Sequence, residues 1–343
     1  MKAVVCTAWG QYEDLEVQES PLPAIAAGCV RIRVRFAAVS RGTLVMIAGQ
    51  YQRDLKLPYV PGTEVVGVIS EVAPDVDRFA PGDCVAASVD WGGLAEYAVA
   101  SVHTTYAIPV GLPMAAATAM TVTYPTAYCA LAWKARIEPG DTVLVTGAAG
   151  GVGMAAVSVA KLLGAAVIAV ASTREKASIA KAAGADHVID LSVDDLYAEV
   201  RRITSGRGAS VVFDVVGGDQ MGTLLKCAAE EGRVLIVGFS SGSAAAIPSN
   251  IALVRNLDVM GFNFGRFIGW GRTDERARFE PRVRAAVEFL LRSAADGQLL
   301  LPSAPCFPLD LFKQAFREVA ERRSTGRVLL EITPSHHPSE EHT

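Results

Sequence analysis

The run Gly147-Ala148-Ala149-Gly150-Gly151-Val152-Gly153 is where residue types and spacing speak most directly of chemistry. A β-branched and aliphatic segment, Thr142–Val145, precedes it and reads as a buried strand. Beyond it Val152, Ala156, Val159 and Leu163 recur at helical spacing and form one apolar stripe. Strand, glycine turn and helix in that order aim the helix's free N–H groups at whatever lies in the turn. The partial positive charge there suits a pyrophosphate. Gly150 lets backbone approach a phosphate closely, and Gly153 lets helix pack tightly on strand. A tight turn that binds nothing is the alternative, weakened by both flanks carrying the required pattern. Ala149, Gly150, Gly151 and Val152 are thus the expected phosphate contacts.

The residues that follow bear on which dinucleotide fits. An acidic residue about 20 positions beyond the glycines binds the adenosine 2′-hydroxyl in NAD-selective sites. Counting 19 on from Gly153 reaches Ser172, in Ala171-Ser172-Thr173-Arg174-Glu175-Lys176, and no carboxylate ends that strand. Ser172, Arg174 and Lys176 instead offer a hydroxyl and two cations to a 2′-phosphate. Two cations at a helix start oppose the helix dipole, which favours a role beyond a solvated first turn. NADPH is the expected cofactor.

The elements that must hold these residues alternate. Strands are expected at Ala166–Ala171, His187–Asp190, 211–216, 234–237 and 257–262, with helices at 174–183, 193–204 and 220–229. Nearly all-apolar strands in this alternation predict a parallel sheet with helices on both faces. Residues 1–108 read as short strands and turns, mostly β, forming a small, partly open barrel. Residues 114–133 read as helices. Helices at 281–295 and 311–321 and a strand at 327–332 return the chain to the first domain, so the parallel-sheet domain is an insertion. The expected domains are 1–121 with 268–334, and 122–267. Residues 335–343 form a polar tail, expected to be disordered, and its histidines His336, His337 and His342 read as solvated.

Composition sets the outer bounds. A chain of 343 residues, 51% hydrophobic and 20% charged, has enough apolar content for two cores and is not a disordered polymer. No apolar run reaches the roughly 18 residues of a membrane helix. The start, MKAVVCTAWG, reads as a strand and not as a signal peptide, and a cytoplasmic location is expected. A net charge of −4 gives no electrostatic reason for nucleic-acid binding. Cys6, Cys29, Cys84, Cys129, Cys227 and Cys306 are scattered with no C-x-x-C pair, as expected of small apolar residues in a core.

These residues carry a family resemblance over residues 1–332. Pro61-Gly62-Thr63-Glu64-Val65-Val66-Gly67, Gly92-Gly93-Leu94-Ala95-Glu96-Tyr97, Thr126-Ala127-Tyr128, the glycine turn, Ala185-Asp186, Asp214-Val215-Val216-Gly217 and Gly326-Arg327-Val328 resemble the medium-chain dehydrogenase/reductases, specifically their zinc-independent quinone oxidoreductase branch. The resemblance implies an α/β fold, with a Rossmann-type doubly wound parallel sheet inserted in a mostly-β, partly open GroES-like catalytic domain. It also implies a nicotinamide stacked near Thr126, Val216, Gly217, Phe239 and Ser240.

Thr63 stands where the zinc alcohol dehydrogenases of this superfamily place a histidine ligand. Ser40-Arg41-Gly42-Thr43 lacks their cysteine, and His103 is the only histidine before His187. No metal is therefore expected, and substrates already electron-poor, quinones or alkenes conjugated to a carbonyl, are the expected hydride acceptors. Tyr51 matches a tyrosine of the family's substrate cleft and is expected either to donate to oxyanion charge or to be a barrel-rim aromatic. Ser40, Thr43 and Ile47 replace asparagine, aspartate and arginine common in the quinone reductases, which points to a less polar acceptor. An enoyl-thioester reductase, with Arg266 and Arg272 as its basic patch, and a cofactor-bound crystallin-like or RNA-binding protein remain alternatives. A homodimer paired through the 257–262 edge strand is expected.

Overall fold

The computed structural model describes residues 1–51, 53, 55–321 and 326–333. The polar tail 335–343 and its histidines lie outside the described residues. The chain forms two compact units.

The first comprises Met1–Val122, Gly265–Leu291 and the described residues from Ser303 onward. Its backbone is the long strand Cys29–Val39, in which Val30, Ile32 and Val34 point alternately into the core. Along one edge this strand pairs antiparallel with Glu64–Val72. Along the other it pairs first with Tyr97–Ser101 and, past an irregularity between Val34 and Phe36, with Val328–Glu331. Cys84–Ser88 and Thr105–Ala107 extend the sheet at one end and Cys306–Pro308 at the other, giving a mostly antiparallel sheet of seven strands, with Tyr97–Ser101 off the six-strand path. Helix Phe312–Ala320 closes the core with Phe312 and Phe316, and Tyr12 stacks on Phe316 at 5.6 Å.

One expectation fails here. Within residues 1–108, expected as short strands and turns, Arg41–Ile47 is a helix, N-capped by Ser40 and buried through Thr43, Met46 and Ile47. The helix expected at 281–295 also begins earlier, as Arg276–Ala295, with Pro281 inside it.

The second unit comprises Thr123–Phe264 and Arg292–Pro302. Its six strands are all parallel, in the spatial order His187–Asp190, Ala166–Ala171, Thr142–Val145, Ala209–Asp214, Ala228–Ile236, Asp258–Gly261. Chain order reverses between Thr142–Val145 and Ala209–Asp214. Crossovers leave these two strands in opposite directions, and the crevice at their carboxyl ends is the topological switch point of such a sheet. Leu144, Ile168, Val170 and Val212 share one buried apolar core with Leu224 and Leu225 of helix Met221–Cys227.

Boundaries shifted where local bonds beat propensity. The helix expected from 193 starts at Leu196, because Asp195 is its N-cap and accepts the Ala198 N–H at 2.8 Å. The strand expected from 234 starts at Ala228, where it pairs with Ala209. Cys6, Cys129 and Cys227 are buried as expected, and burial pushes the Cys227 thiol up to about 12. Cys84 and Cys306, by contrast, are exposed. No described helix is long and apolar enough to cross a membrane.

Candidate functional site

In the second unit, the glycine turn is assembled by its own backbone. Gly150 N–H donates to the Gly147 carbonyl at 2.9 Å, and Ala148 N–H donates to the Val170 carbonyl of the neighbouring strand at 3.2 Å. Gly150 then caps helix Gly151–Leu162 in an extended conformation with no side-chain hydrogen bond to the first turn. The amides of that turn are left to a ligand. A Cβ on Gly153 would lie 2.2 Å from the Gly147 carbonyl oxygen, so the helix seats directly on the turn's main chain. The expected close packing at Gly153 is present, but its partner is the turn and not the strand. A Cβ on Gly150 would meet its nearest neighbour at 3.4 Å, so space beside it is open. Open amides, open space and a helix start describe a cradle that fits a pyrophosphate.

At the switch point, Asp214 ends its strand fully buried. Thr146 Oγ1–H donates to its Oδ1 at 2.6 Å, Val216 N–H to Oδ1 at 3.0 Å and Gly217 N–H to Oδ2 at 3.1 Å. Val215 N–H in turn donates to Thr146 Oγ1 at 3.1 Å. The loop after the strand is thereby fixed by one carboxylate. Ser240 and Ser241 N–H groups donate to the Val215 and Val216 carbonyls at 3.0 and 2.9 Å, joining the two loops. Gly217 has φ 68°, and a Cβ there would lie 2.7 Å from Phe239 Cδ1. Val216, Gly217, Phe239 and Ser240 therefore share one surface. Thr126 lies on helix Thr123–Tyr128, which packs against the glycine-turn helix.

The residues expected to meet the adenosine side of a dinucleotide sit at the end of Ala166–Ala171. Ser172 and Arg174 are exposed and Lys176 half-buried. Thr173, which the sequence reading passed over, caps helix Arg174–Ala182 by accepting the Lys176 N–H at 3.3 Å.

In the first unit, Ser40 and Thr43 face each other. Thr43 N–H donates to Ser40 Oγ at 3.2 Å, and the two hydroxyl oxygens are 3.1 Å apart. Thr43 is buried and Ser40 half-buried, so their polar atoms serve the helix cap first. Tyr51 is half-buried. Burial pushes its phenol above the usual range while the Arg53 charge pulls partly against that, which keeps it a neutral donor.

Sequence reasoning missed what surrounds Tyr51. Arg53 Nη2 lies 3.1 Å from Asp90 Oδ1, and its guanidinium sits 5.8 and 5.9 Å from the Trp91 and Trp270 rings. Arg276 grips the same Asp90 with two contacts of 2.9 Å and also pairs with Asp274. These residues are far apart in the chain, and no local pattern joins them. Thr63 is buried beneath the turns at Gly62 and Gly93, where Gly93 N–H donates to the Gly62 carbonyl at 3.0 Å. Among the described residues, no group of three or more His, Cys, Asp or Glu is placed to hold a metal ion.

Comparison with known proteins agrees with both units. Residues 26–110 match the alcohol dehydrogenase GroES-like domain, and residues 151–280 match the zinc-binding dehydrogenase family. Over 332 residues the sequence is 34% identical to quinone oxidoreductase-like protein 2 of Rattus norvegicus, covering 96% of this chain and 92% of that protein. The chain belongs to the quinone oxidoreductase branch of the medium-chain dehydrogenase/reductases. Within the branch, the Escherichia coli quinone oxidoreductase complexed with NADPH superposes with TM-score 0.86 at 25% identity, over 96% of this chain and 100% of that one. A mycobacterial protein complexed with NADPH gives TM-score 0.87 at 27% identity, with the same coverage. The α/β fold of a GroES-like domain and a Rossmann-type parallel sheet, expected from the resemblance, is thus the fold of this branch member.

Proposed function

We propose that this chain is an NADPH-dependent oxidoreductase that reduces quinones or other α,β-unsaturated carbonyl compounds without a metal. The observation that carries the reading is the glycine cradle, a helix start with no side-chain cap, seated on its own turn at the switch point of a parallel sheet. Ala149, Gly150, Gly151 and Val152 would hold the pyrophosphate, and Ser172, Arg174 and Lys176 the 2′-phosphate. Thr126, Val216, Gly217, Phe239 and Ser240 would flank the nicotinamide. When bound, the dinucleotide supplies hydride from its nicotinamide ring.

The protein's own work is positional. The Asp214 carboxylate fixes the 215–217 loop so that the ring meets a rigid wall. Tyr51, a neutral phenol that half-burial makes harder still to ionise, would donate a hydrogen bond to developing oxyanion charge. Thr63 and the Ser40–Thr43 pair supply no metal ligand, which favours acceptors that are already electron-poor. Arg266, needed for a thioester's phosphates, is already paired with Glu275 at 3.2 Å, which weighs against that alternative. A homodimer through the edge strand Asp258–Gly261 completes the proposal, supported by Leu253 and Val254, which stand 77% and 80% exposed on the preceding helix.

NADPH oxidation followed at 340 nm, with 1,4-benzoquinone, phenanthrenequinone, simple enones and crotonyl-thioester supplied in parallel, tests the reaction. Turnover with quinones or enones is expected, reduced by about 10- to 100-fold in Tyr51→Phe with the Michaelis constant little changed. Tight NADPH binding with no turnover on any acceptor would sink the proposal.

A further inference from the structure

The strand next to the adenosine side ends in a carboxylate. Asp190 pairs in register with Ala171, the residue immediately before Ser172, and Leu191 N–H donates to the Ala171 carbonyl at 2.9 Å. The two parallel strands therefore deliver Asp190 and Ser172 to the same end of the sheet. Asp190 is held there: its Oδ1 accepts both the Ser192 N–H, at 3.0 Å, and the Ser192 hydroxyl, at 2.7 Å. Asp190 and Arg174 line one open cavity of about 710 Å³, together with Ser178, Lys181, His187 and Ser192. The Ser192 hydrogen bonds chiefly, and the Arg174 charge with them, hold the Asp190 carboxyl below the ordinary carboxylate range, so it is an anion at neutral pH.

We infer that Asp190 limits this chain's preference for NADPH over NADH, as a fixed negative charge at the same end of the sheet as Ser172 and in one cavity with Arg174. The inference rests on the NADPH reading of Ser172, Arg174 and Lys176. Two effects act in the same direction. The carboxylate offsets part of the Arg174 field, and it repels a phosphate directly. A neutral 2′-hydroxyl feels neither. Because the cavity is open to water, the effect is moderate and screened by salt. The neighbouring Asp194 differs. Its carboxylate accepts the Asp190 N–H at 2.9 Å, and it is not among the residues that line the cavity with Arg174.

Asp190→Asn removes the charge and keeps the Oδ1 that accepts from Ser192, so the turn is preserved. Isothermal titration calorimetry with NADP⁺ and with NAD⁺, at ~25 and ~250 mM salt, reads the result on the intact protein. The variant is expected to bind NADP⁺ about three- to tenfold tighter at low salt and NAD⁺ within about twofold of the parent, with the gain shrinking at high salt. Unchanged NADP⁺ affinity would overturn the inference. So would markedly weaker NAD⁺ binding, which would make Asp190 a ligand for the ribose hydroxyl, or an equal gain in Asp194→Asn, which would reduce the effect to net charge. The NADPH reading fails on a separate result, a parent protein that binds NADP⁺ more weakly than NAD⁺ and is indifferent to Arg174→Ala.

Discussion

A Cβ on residue 153 has nowhere to go. Its neighbours at 2.2 and 2.8 Å are the oxygen and carbon of the Gly147 carbonyl, backbone atoms that cannot swing aside as a side chain would. In an exposed helix, Gly→Ala gains up to about 1 kcal/mol of propensity, but displacing a packed backbone costs about 1–3 kcal/mol, so sterics win. Gly153→Ala is expected to lower stability by about that net amount in urea denaturation and to weaken NADP⁺ binding at least tenfold in titration. Gly150→Ala, whose Cβ meets its nearest neighbour at 3.4 Å, should cost much less stability. Equal losses in the two variants would show that the seating of helix on turn is not what matters. The glycines were legible in the sequence because their requirement is local, a turn and a helix start. Asp214 was legible only as part of a motif. Its partner Thr146 lies on another strand, and nothing in either segment alone says that one carboxylate organises the loop.

At the scale of elements, strands and helices of the second unit were readable because burial on both faces leaves long apolar runs. Helix Arg41–Ile47 was not. Its sequence, Arg-Gly-Thr-Leu-Val-Met-Ile, holds a glycine and three β-branched residues, and only the Ser40 cap and the burial of Met46 and Ile47 make it helical. The Ala185-Asp186 pair found its explanation in the structure. Lys161, on the glycine-turn helix, donates to both Asp186 oxygens at 2.8 and 2.9 Å, and Val167 N–H donates to Oδ2 at 2.7 Å. Burial raises the Asp186 carboxyl, but these hydrogen bonds outweigh it and hold its pKa below the ordinary 3.8. A lowered carboxyl contributes stability that is complete above the ordinary value and fades as pH falls through the lowered one. Both side chains are more than a third exposed, so the contribution is only about 0.3–1 kcal/mol. Asp186→Asn is expected to lower the thermal midpoint slightly at pH 7, with the gap closing as pH drops below that value. A gap independent of pH would assign the effect to packing.

For the whole molecule, the sheet of the second unit ends in Asp258–Gly261, which pairs within the sheet only with Ala228–Ile236 among the described residues. The free edge and the apolar residues beside it are the basis for the proposed dimer. Light scattering coupled to size exclusion is expected to give twice the chain mass, and Leu253→Glu with Val254→Glu to shift it toward the monomer; a monomeric parent at micromolar concentration would remove the proposal. The edge position was legible from strand order. The Arg53–Asp90–Arg276 cluster was not, because it is made by tertiary closure of segments whose sequences carry no mark of each other.

The glycine cradle is specified by what its residues lack. At most binding positions a substitution exchanges one functional group for another, whereas at 153 or 217 any substitution adds an atom where backbone or a ring already stands. That half of the protein is brittle at a few codons and permissive at the strand positions around them, where Val, Ile and Leu are near equivalents. The 40–51 segment is built the other way, from ordinary side chains on one short helix and its exit, and can be rewritten a group at a time. Under the proposed function, a chain divided like this would keep its reductant fixed while its acceptor drifts.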